Sequence, residues 1–255
     1  MGGVTGPRTP AEAYGAFAWA YDPALGNRFF KSIEPELRRL LDAFPPPGRR
    51  HLDLACGSGI ALDWFVRKRY RSVGLDASLP MLNLARSRTD APLIAADMRS
   101  LPFRGGFALV TSIYDSLNHL LRRRDLQETF NQVGNLLATG GIFLFDVNHP
   151  DVYPRVWGLQ EPFVSEGHDH RLEMETRWSR FFGRGEARIS GWAMVGPTRV
   201  EIRERRLQRA WPSALIRSAL GAAGLEILEE RMFDPYREDD GPVKVIFAAR
   251  KKSRD

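Results

Sequence analysis

Three aspartates and one glycine turn carry the first chemical signal in this chain. Asp53 stands just before Ala55-Cys56-Gly57-Ser58-Gly59, and Asp76 and Asp97 follow at intervals of about twenty residues. Gly57-Ser58-Gly59 lets the backbone turn with no side chain in the way. A helix that starts at once presents its unpaired N–H groups above the turn. An acid about 20 residues beyond such a turn can accept hydrogen bonds from ribose hydroxyls. A dinucleotide fingerprint wants a third glycine, and that place is Leu62. A carboxylate below the turn, Asp53, also suits a positive amino group better than a phosphate. The residues therefore disfavour a pyrophosphate cofactor. Cys56, the lone cysteine, reads as a small residue packed beside tight backbone rather than as a nucleophile. With one cysteine a disulfide within the chain is excluded, and a cysteine-based zinc site is strongly disfavoured.

Residues of this kind work only if strands and helices hold them at one edge of a sheet. Arg50 to Leu54 reads as a short apolar strand, Ile60 to Lys68 as a helix, Ser72 to Leu75 as a second strand, and Pro80 to Arg88 as a helix capped by Ser78. Leu93 to Ala96 and Phe107 to Tyr114 read as strands, Leu126 to Ala138 as a helix ended by Gly140-Gly141, and Ile142 to Val147 as the fifth strand. Such alternation implies right-handed crossovers and a parallel sheet covered on both faces. Upstream, Ala11 to Tyr21 and Arg28 to Phe44 have helical spacing, and Pro45-Pro46-Pro47-Gly48 stops the second run. Downstream the rhythm breaks. Glu161 to Glu166, His170 to Phe182, Glu186 to Val195 and Thr198 to Leu207 read as antiparallel strands, with turns at 167–169, 183–185 and 196–197. The alternation returns with a helix from Pro212 to Ala223, strands from Leu225 to Phe233 and Val243 to Arg250, and a frayed tail from Lys251 to Asp255. The expected fold class is α/β, a Rossmann-like seven-stranded, mostly parallel sheet with helices on both faces, plus an antiparallel β insertion. We expect one domain, 1–255. It has an N-terminal helical flap at 1–45, a core at 46–149 and 209–255, and the insertion at 150–208 over the substrate crevice.

The chain has 255 residues, 43% hydrophobic and 27% charged, and can bury one sizeable core. No apolar run approaches the roughly 18 to 20 residues that span a bilayer. Met1 to Pro10 lacks the basic start and apolar stretch of a secretory signal. A cytoplasmic protein with no membrane partner is expected. The net charge of +6 and pI ≈ 9.8 come with basic clusters at Arg67 to Arg71, Arg122 to Arg124 and Arg203 to Arg209. Such charge could attract nucleic acid. Acids are interspersed through it and no basic stripe carries interleaved aromatics, so solvated helix faces are the simpler account. His168 and His170 alternate along a turn and strand without a further ligand set, so no metal is expected and exposed histidines fit better.

Asp53 to Gly59 is followed by Val73-Gly74-Leu75-Asp76-Ala77-Ser78 with Met81-Leu82, and by Ala96-Asp97-Met98-Arg99 with Leu101-Pro102-Phe103. Phe107 to Val110, Tyr114 to Leu120, Gly140-Gly141 and the ending from Gly224 extend the series. In this order the motifs resemble the small-molecule branch of the class I S-adenosylmethionine-dependent methyltransferases. Amino-sugar N-methyltransferases and glycine N-methyltransferase-like enzymes are the nearest in pattern. The resemblance implies S-adenosyl-L-methionine as cofactor. Asp53 and the backbone of Ala55, Cys56, Gly57, Ser58 and Gly59 would hold its methionine part. Asp76 would take the ribose hydroxyls, and Ala77 and Met81 would line the adenosine pocket. Asp97 would bind the adenine amino group with Met98 nearby, and Tyr114 would lie beside the methionine moiety. Tyr21, in a Tyr21-Asp22 pair, would close over the cofactor, whereas core packing suits Tyr14 and Trp19 at least as well.

Methyl transfer is an in-line displacement from a sulfonium, in which positioning and exclusion of water do most of the work. An amine or hydroxyl acceptor can need a base. His119, just after the fourth strand on the substrate side, is the candidate, with packing as the alternative. Asn148-His149 follows the fifth strand at another crevice-facing place. The fourth strand does not end in the Asn/Asp-Pro-Pro-aromatic motif of enzymes that methylate nucleobase exocyclic amines or glutamine. The expected reaction is methylation of an N or O atom of a small polar metabolite, with N ahead of O, and with a homodimer contact through the β insertion. A tRNA base methyltransferase and a non-catalytic cofactor-binding protein are the other readings.

Overall fold

The structure, a computed structural model, describes residues 15–158, 161–234 and 244–252. Helix α1 (Phe17–Tyr21) runs through a π-helical turn, Asp22–Gly26, into α2 (Asn27–Ala43). The two helices expected here are thus one continuous run. Pro23, which offers no N–H and crowds the turn before it, sits where the helix widens. The expected start at Ala11, and Tyr14, lie outside the described residues. Next come β1 (Arg50–Leu54), α3 (Ile60–Arg67), β2 (Arg71–Asp76), α4 (Leu79–Arg88), β3 (Leu93–Ala95), β4 (Phe107–Ser112), α5 (Arg123–Leu136) and β5 (Leu137–Asn148). Ser78 caps α4 by accepting from the Met81 N–H at 3.4 Å. The insertion holds β6 (Phe163–Glu166), β7 (His170–Ser179), β8 (Arg184–Val195) and β9 (Thr198–Arg209). Helix α6 (Ser213–Ala222) and strands β10 (Leu225–Phe233) and β11 (Lys244–Lys251) complete the core.

The main sheet has the order β10-β11-β5-β4-β1-β2-β3. Strands β1 to β5 pair in parallel, and β10 and β11 pair antiparallel. Alternate side chains of the central strands feed two cores. On one face Leu52, Leu54 and Val110 meet Phe130 and Val133 of α5 and Ile216 and Leu220 of α6. On the other, Leu109, Ile142 and Leu144 meet Phe29, Ile33, Leu37 and Leu40 of α2 and Phe65 of α3. The insertion is a separate four-stranded antiparallel sheet, β6-β7-β8-β9. Its inner face packs on α1, with Phe17 and Ala20 against Leu172, Ala187, Ile189 and Ile202. Flap and insertion therefore share a core of their own above the main sheet.

Several expected boundaries move. Helix α5 begins at Arg123 and ends at Leu136, and Gly140-Gly141 lie inside β5. Leu137 already pairs with Phe107, and the next pair is Leu109 with Ile142, so the strand bulges in between. Glycine is needed there because a Cβ at Gly141 would lie 2.8 Å from the Ala138 oxygen. Strand β4 stops at Ser112, two residues short of Tyr114, because Tyr114 and Asp115 turn into positive φ (70° and 48°). The β7–β8 turn comes at Arg180 to Gly183, before the glycine cluster's end. His170 is not exposed. It is buried between Ser165 Oγ and Asp169 Oδ1, at 3.0 and 2.8 Å, while His168 is exposed. No group of three or more metal-ligating side chains occurs among the described residues. Nor, among them, is any helix long and apolar enough to cross a membrane.

Candidate functional site

The direction of strand succession reverses between β1 and β4, which opens a crevice at their carboxyl ends. A cavity of about 660 Å³ occupies it. Its floor is the turn after β1, where Ala55, Gly57 and Gly59 have φ of 59°, 54° and 80°. Asp76, at the end of β2, fastens this turn. Its Oδ2 accepts from the Gly57 N–H at 2.8 Å and its Oδ1 from the Ser78 N–H at 2.7 Å. Burial raises the Asp76 carboxyl above its ordinary range. A Cβ on Gly57 would meet nothing within 4 Å, and Gly57 lines the cavity, so the bare glycine leaves room for a ligand. Gly59 serves packing instead, since its Cβ would lie 3.0 Å from that of Ala85. Cys56 is buried in the floor, and burial pushes its thiol well up, away from nucleophilic use.

Tyr21, Ala55, Cys56, Gly57, Ser58, Asp76, Ala77, Met81, Asp97, Met98, Tyr114 and His119 all line this one cavity. Asp53 and Gly59 do not. Asp53 lies just beneath the floor, 2% exposed. Thr111 Oγ1 donates to its Oδ1 at 2.6 Å, while Oδ2 is buried with no hydrogen-bond partner among the described residues. Burial raises this carboxyl to about 7. Asp97 is engaged by Arg99, whose Nε and Nη2 donate to it at 2.9 and 2.6 Å. That bidentate pair holds the Asp97 carboxyl below its usual range.

Three residues outside the expected set close the cavity. Asp22 accepts from Ser58 Oγ at 2.6 Å and from Arg88 Nη2 at 2.8 Å, which bolts the flap to the floor turn and to α4. Tyr21 is thereby held over the site, 6.4 Å between ring centres from Tyr114. Arg205 and Arg206 of β9 reach in from the insertion. Of these only Asp22 stood beside an expected residue. Arg88 carried no local pattern, because it reaches Asp22 across 66 residues, and Arg206 was visible only as part of a basic cluster, because its guanidinium lies over the Phe17 ring of the flap at 5.9 Å.

The acceptor side rests on a buried polar network. Asp146 Oδ1 and Oδ2 accept from the Tyr114 and Asp115 N–H groups at 2.7 and 3.0 Å, which fixes the left-handed pair. Lys244 Nζ donates to Asp115, Asp146 and Asn148 at 2.6, 2.9 and 3.1 Å. Gln208 Nε2 donates to Asp115 Oδ2 at 2.5 Å, and its Oε1 accepts from Asn148 and Tyr153. His119 abuts this network, with Nε2 3.5 Å from Gln208 Nε2 and a hydrogen bond to the Leu207 backbone. Burial lowers its pKa, so the ring is neutral at pH 7. Asn148 belongs to the network rather than the cavity wall, and His149 lies 3.7 Å from Asp151 outside it. Trp19 packs between flap and insertion.

The family described as a methyltransferase domain matches residues 52–141, from β1 through the floor turn into β5. This stretch is a methyltransferase domain. The whole chain has the fold of an S-adenosylmethionine-dependent methyltransferase from Clostridium acetobutylicum, with a TM-score of 0.79 at 22% identity over 94% of this chain and 99% of that one. The putative methyltransferase YqeM of Bacillus subtilis is 33% identical over 53% of this chain and 55% of its own length. A dTDP-3-amino-3,4,6-trideoxy-α-D-glucopyranose N,N-dimethyltransferase of Streptomyces venezuelae is 30% identical over 44% of this chain and 47% of its own length. The chain spans about half the length of the first curated relatives it matches. The site's own side chains fit S-adenosylmethionine. Asp53 Oδ2 lacks a donor among the described residues, Asp76 lines the cavity beside the turn, and a side chain at Gly57 would fill the cradle.

Proposed function

We propose that this protein transfers a methyl group from S-adenosylmethionine to a nitrogen, or less readily an oxygen, of a small polar metabolite. One observation carries the reading: a single roofed cavity joins an end floored by the glycine turn and Asp76, with Asp53 buried just beneath it, to an end that holds His119 neutral. When bound, the cofactor supplies a methyl group on a positively charged sulfonium. Asp53 gives a negative charge beneath the turn, and Asp76 and the turn N–H groups orient the ligand's ribose and methionine parts. Tyr21 and Tyr114 exclude water above them. Asp146 fixes the Tyr114–Asp115 turn and so the distance between the two ends. His119 accepts the acceptor's proton, directly or through one water. The roof of β9 and the flap favour a small acceptor over a folded RNA. Similarity to the Streptomyces venezuelae dimethyltransferase supports nitrogen ahead of oxygen. Calorimetry with S-adenosylhomocysteine on wild type and Asp76→Ala tests the cofactor site, and equal affinities count against it. Labelled cofactor offered with amine, hydroxyl and tRNA pools tests the acceptor. Label in the amine pool is expected, and label in tRNA alone overturns the small-molecule reading.

A further inference from the structure

Behind the cavity floor runs a buried chain of hydrogen bonds that methyl transfer itself does not use. Ser72 Oγ lies 3.0 Å from His51 Nδ1, His51 Nε2 lies 2.9 Å from Thr111 Oγ1, and Thr111 Oγ1 donates to Asp53 Oδ1 at 2.6 Å. The four residues stand on β1, β2 and β4, whose parallel register sets His51 opposite Ser72 and Asp53 opposite Thr111. None is more than 6% exposed.

The far end of the chain fixes its direction. Thr111 has one hydroxyl proton and gives it to Asp53, so its oxygen accepts from His51 Nε2–H. A neutral imidazole has one N–H, so Nδ1 accepts from Ser72 Oγ–H. Burial lowers His51 to about 3, which keeps the ring neutral across the working range. Every dipole in the chain therefore points at one oxygen of Asp53. The other titratable groups around Asp53 are Asp76, Cys56 and Tyr114, and among the described residues none of them donates to it. A histidine kept only for packing would need neither the tautomer nor the alignment.

We propose that His51 and Thr111 are positioning residues for Asp53, holding its carboxylate in one orientation and favouring its charged form, so that the cofactor's positive end meets a fixed anion. The inference rests on the reading of the cavity as an S-adenosylmethionine site.

His51→Phe keeps a ring against Phe65 and Tyr70, whose centres lie 4.1 and 5.9 Å away, and removes both hydrogen bonds. His51→Gln keeps one donor and one acceptor. Calorimetry with S-adenosylhomocysteine between pH 6 and 9, on variants shown folded by circular dichroism, separates them. His51→Phe should weaken binding about tenfold at pH 7 and move the pH of half-loss upward, while His51→Gln stays within about threefold of wild type. Nitrogen NMR should find wild-type His51 in the Nε2–H tautomer throughout. A His51→Phe affinity and pH profile like wild type, equal losses in both variants, or an Nδ1–H tautomer overturns the proposal. If His51→Phe does not fold, Thr111→Val against Thr111→Ser makes the same comparison, with the serine expected to restore binding. Wild-type protein that binds no S-adenosylhomocysteine removes the cofactor reading and this inference together. Binding that neither pair disturbs removes this inference alone.

Discussion

On the proposed function, Asp53 sets the pH dependence of cofactor binding. Burial raises its carboxyl to about 7, so below that pH the group holds its proton and offers no charge to a cation. Affinity for S-adenosylhomocysteine should rise between pH 6 and 8 and then level, with up to about tenfold per unit on the acid side. Asp53→Asn should flatten that profile in calorimetry, and a slope that survives the substitution assigns it to another group. For folding the sign is reversed. Between the unfolded value near 3.8 and about 7, the folded state keeps a proton that the unfolded chain has released. Asp53 thus costs the unbound protein stability as pH rises through that window. The position of Asp53 before a glycine turn was legible in the sequence because strand, turn and acid are neighbours. Its partner Thr111 and the relay behind it were not, because strand register brings residues 51, 72, 111 and 53 together.

One close approach between elements encloses the site, and another packs the core. The flap is held by Asp22, which joins Ser58 of the floor to Arg88 of α4. Arg88 is about a third exposed, so its removal should cost only about 1 kcal/mol of global stability. Its local effect should be larger. In Arg88→Ala, amide exchange across residues 17–26 should quicken and S-adenosylhomocysteine should dissociate faster, while exchange in β4 and β5 is unchanged. Helices α5 and α6 meet at Gly134, where a Cβ would come within 2.4 Å of the Ala223 carbonyl oxygen. That neighbour is backbone and cannot swing aside, so Gly134→Ala should destabilise by about 2 kcal/mol in urea titration despite its gain in helix propensity. The existence and order of these elements could be read from hydrophobic period, because each buries one face. The ends of α5, β4 and β5 could not. A bulge at Gly140-Gly141 and the left-handed pair Tyr114–Asp115 are set by partners on other strands.

At the scale of the molecule, Lys244 anchors the network through which Gln208 ties the roof to the core. It stands at the start of β11, and its ammonium group reaches Asp146 and Asn148 on β5 and Asp115 after β4. Gln208 of β9 joins the same Asp115 from the insertion. No periodicity or motif marks this set, since its members lie up to 129 residues apart and one belongs to the inserted sheet. The Lys244 side chain is 4% exposed and Asp146 is fully buried, so removing the ammonium strands the Asp146 carboxylate in the interior, while Asp115, 23% exposed, keeps its bond from Gln208. Lys244→Met should therefore destabilise by about 3 to 5 kcal/mol, far more than the loss of a surface pair. Asp115→Asn in that background removes the negative charge left beside Asp146 without its cation, so the double variant should be more stable than the two single losses predict, by about 1 kcal/mol or more. Urea unfolding of the four proteins measures the coupling. If the losses simply add, Lys244 and Asp115 act independently, and the roof is held to the core through Gln208 and Asn148 and the packing of β9 rather than through the ammonium.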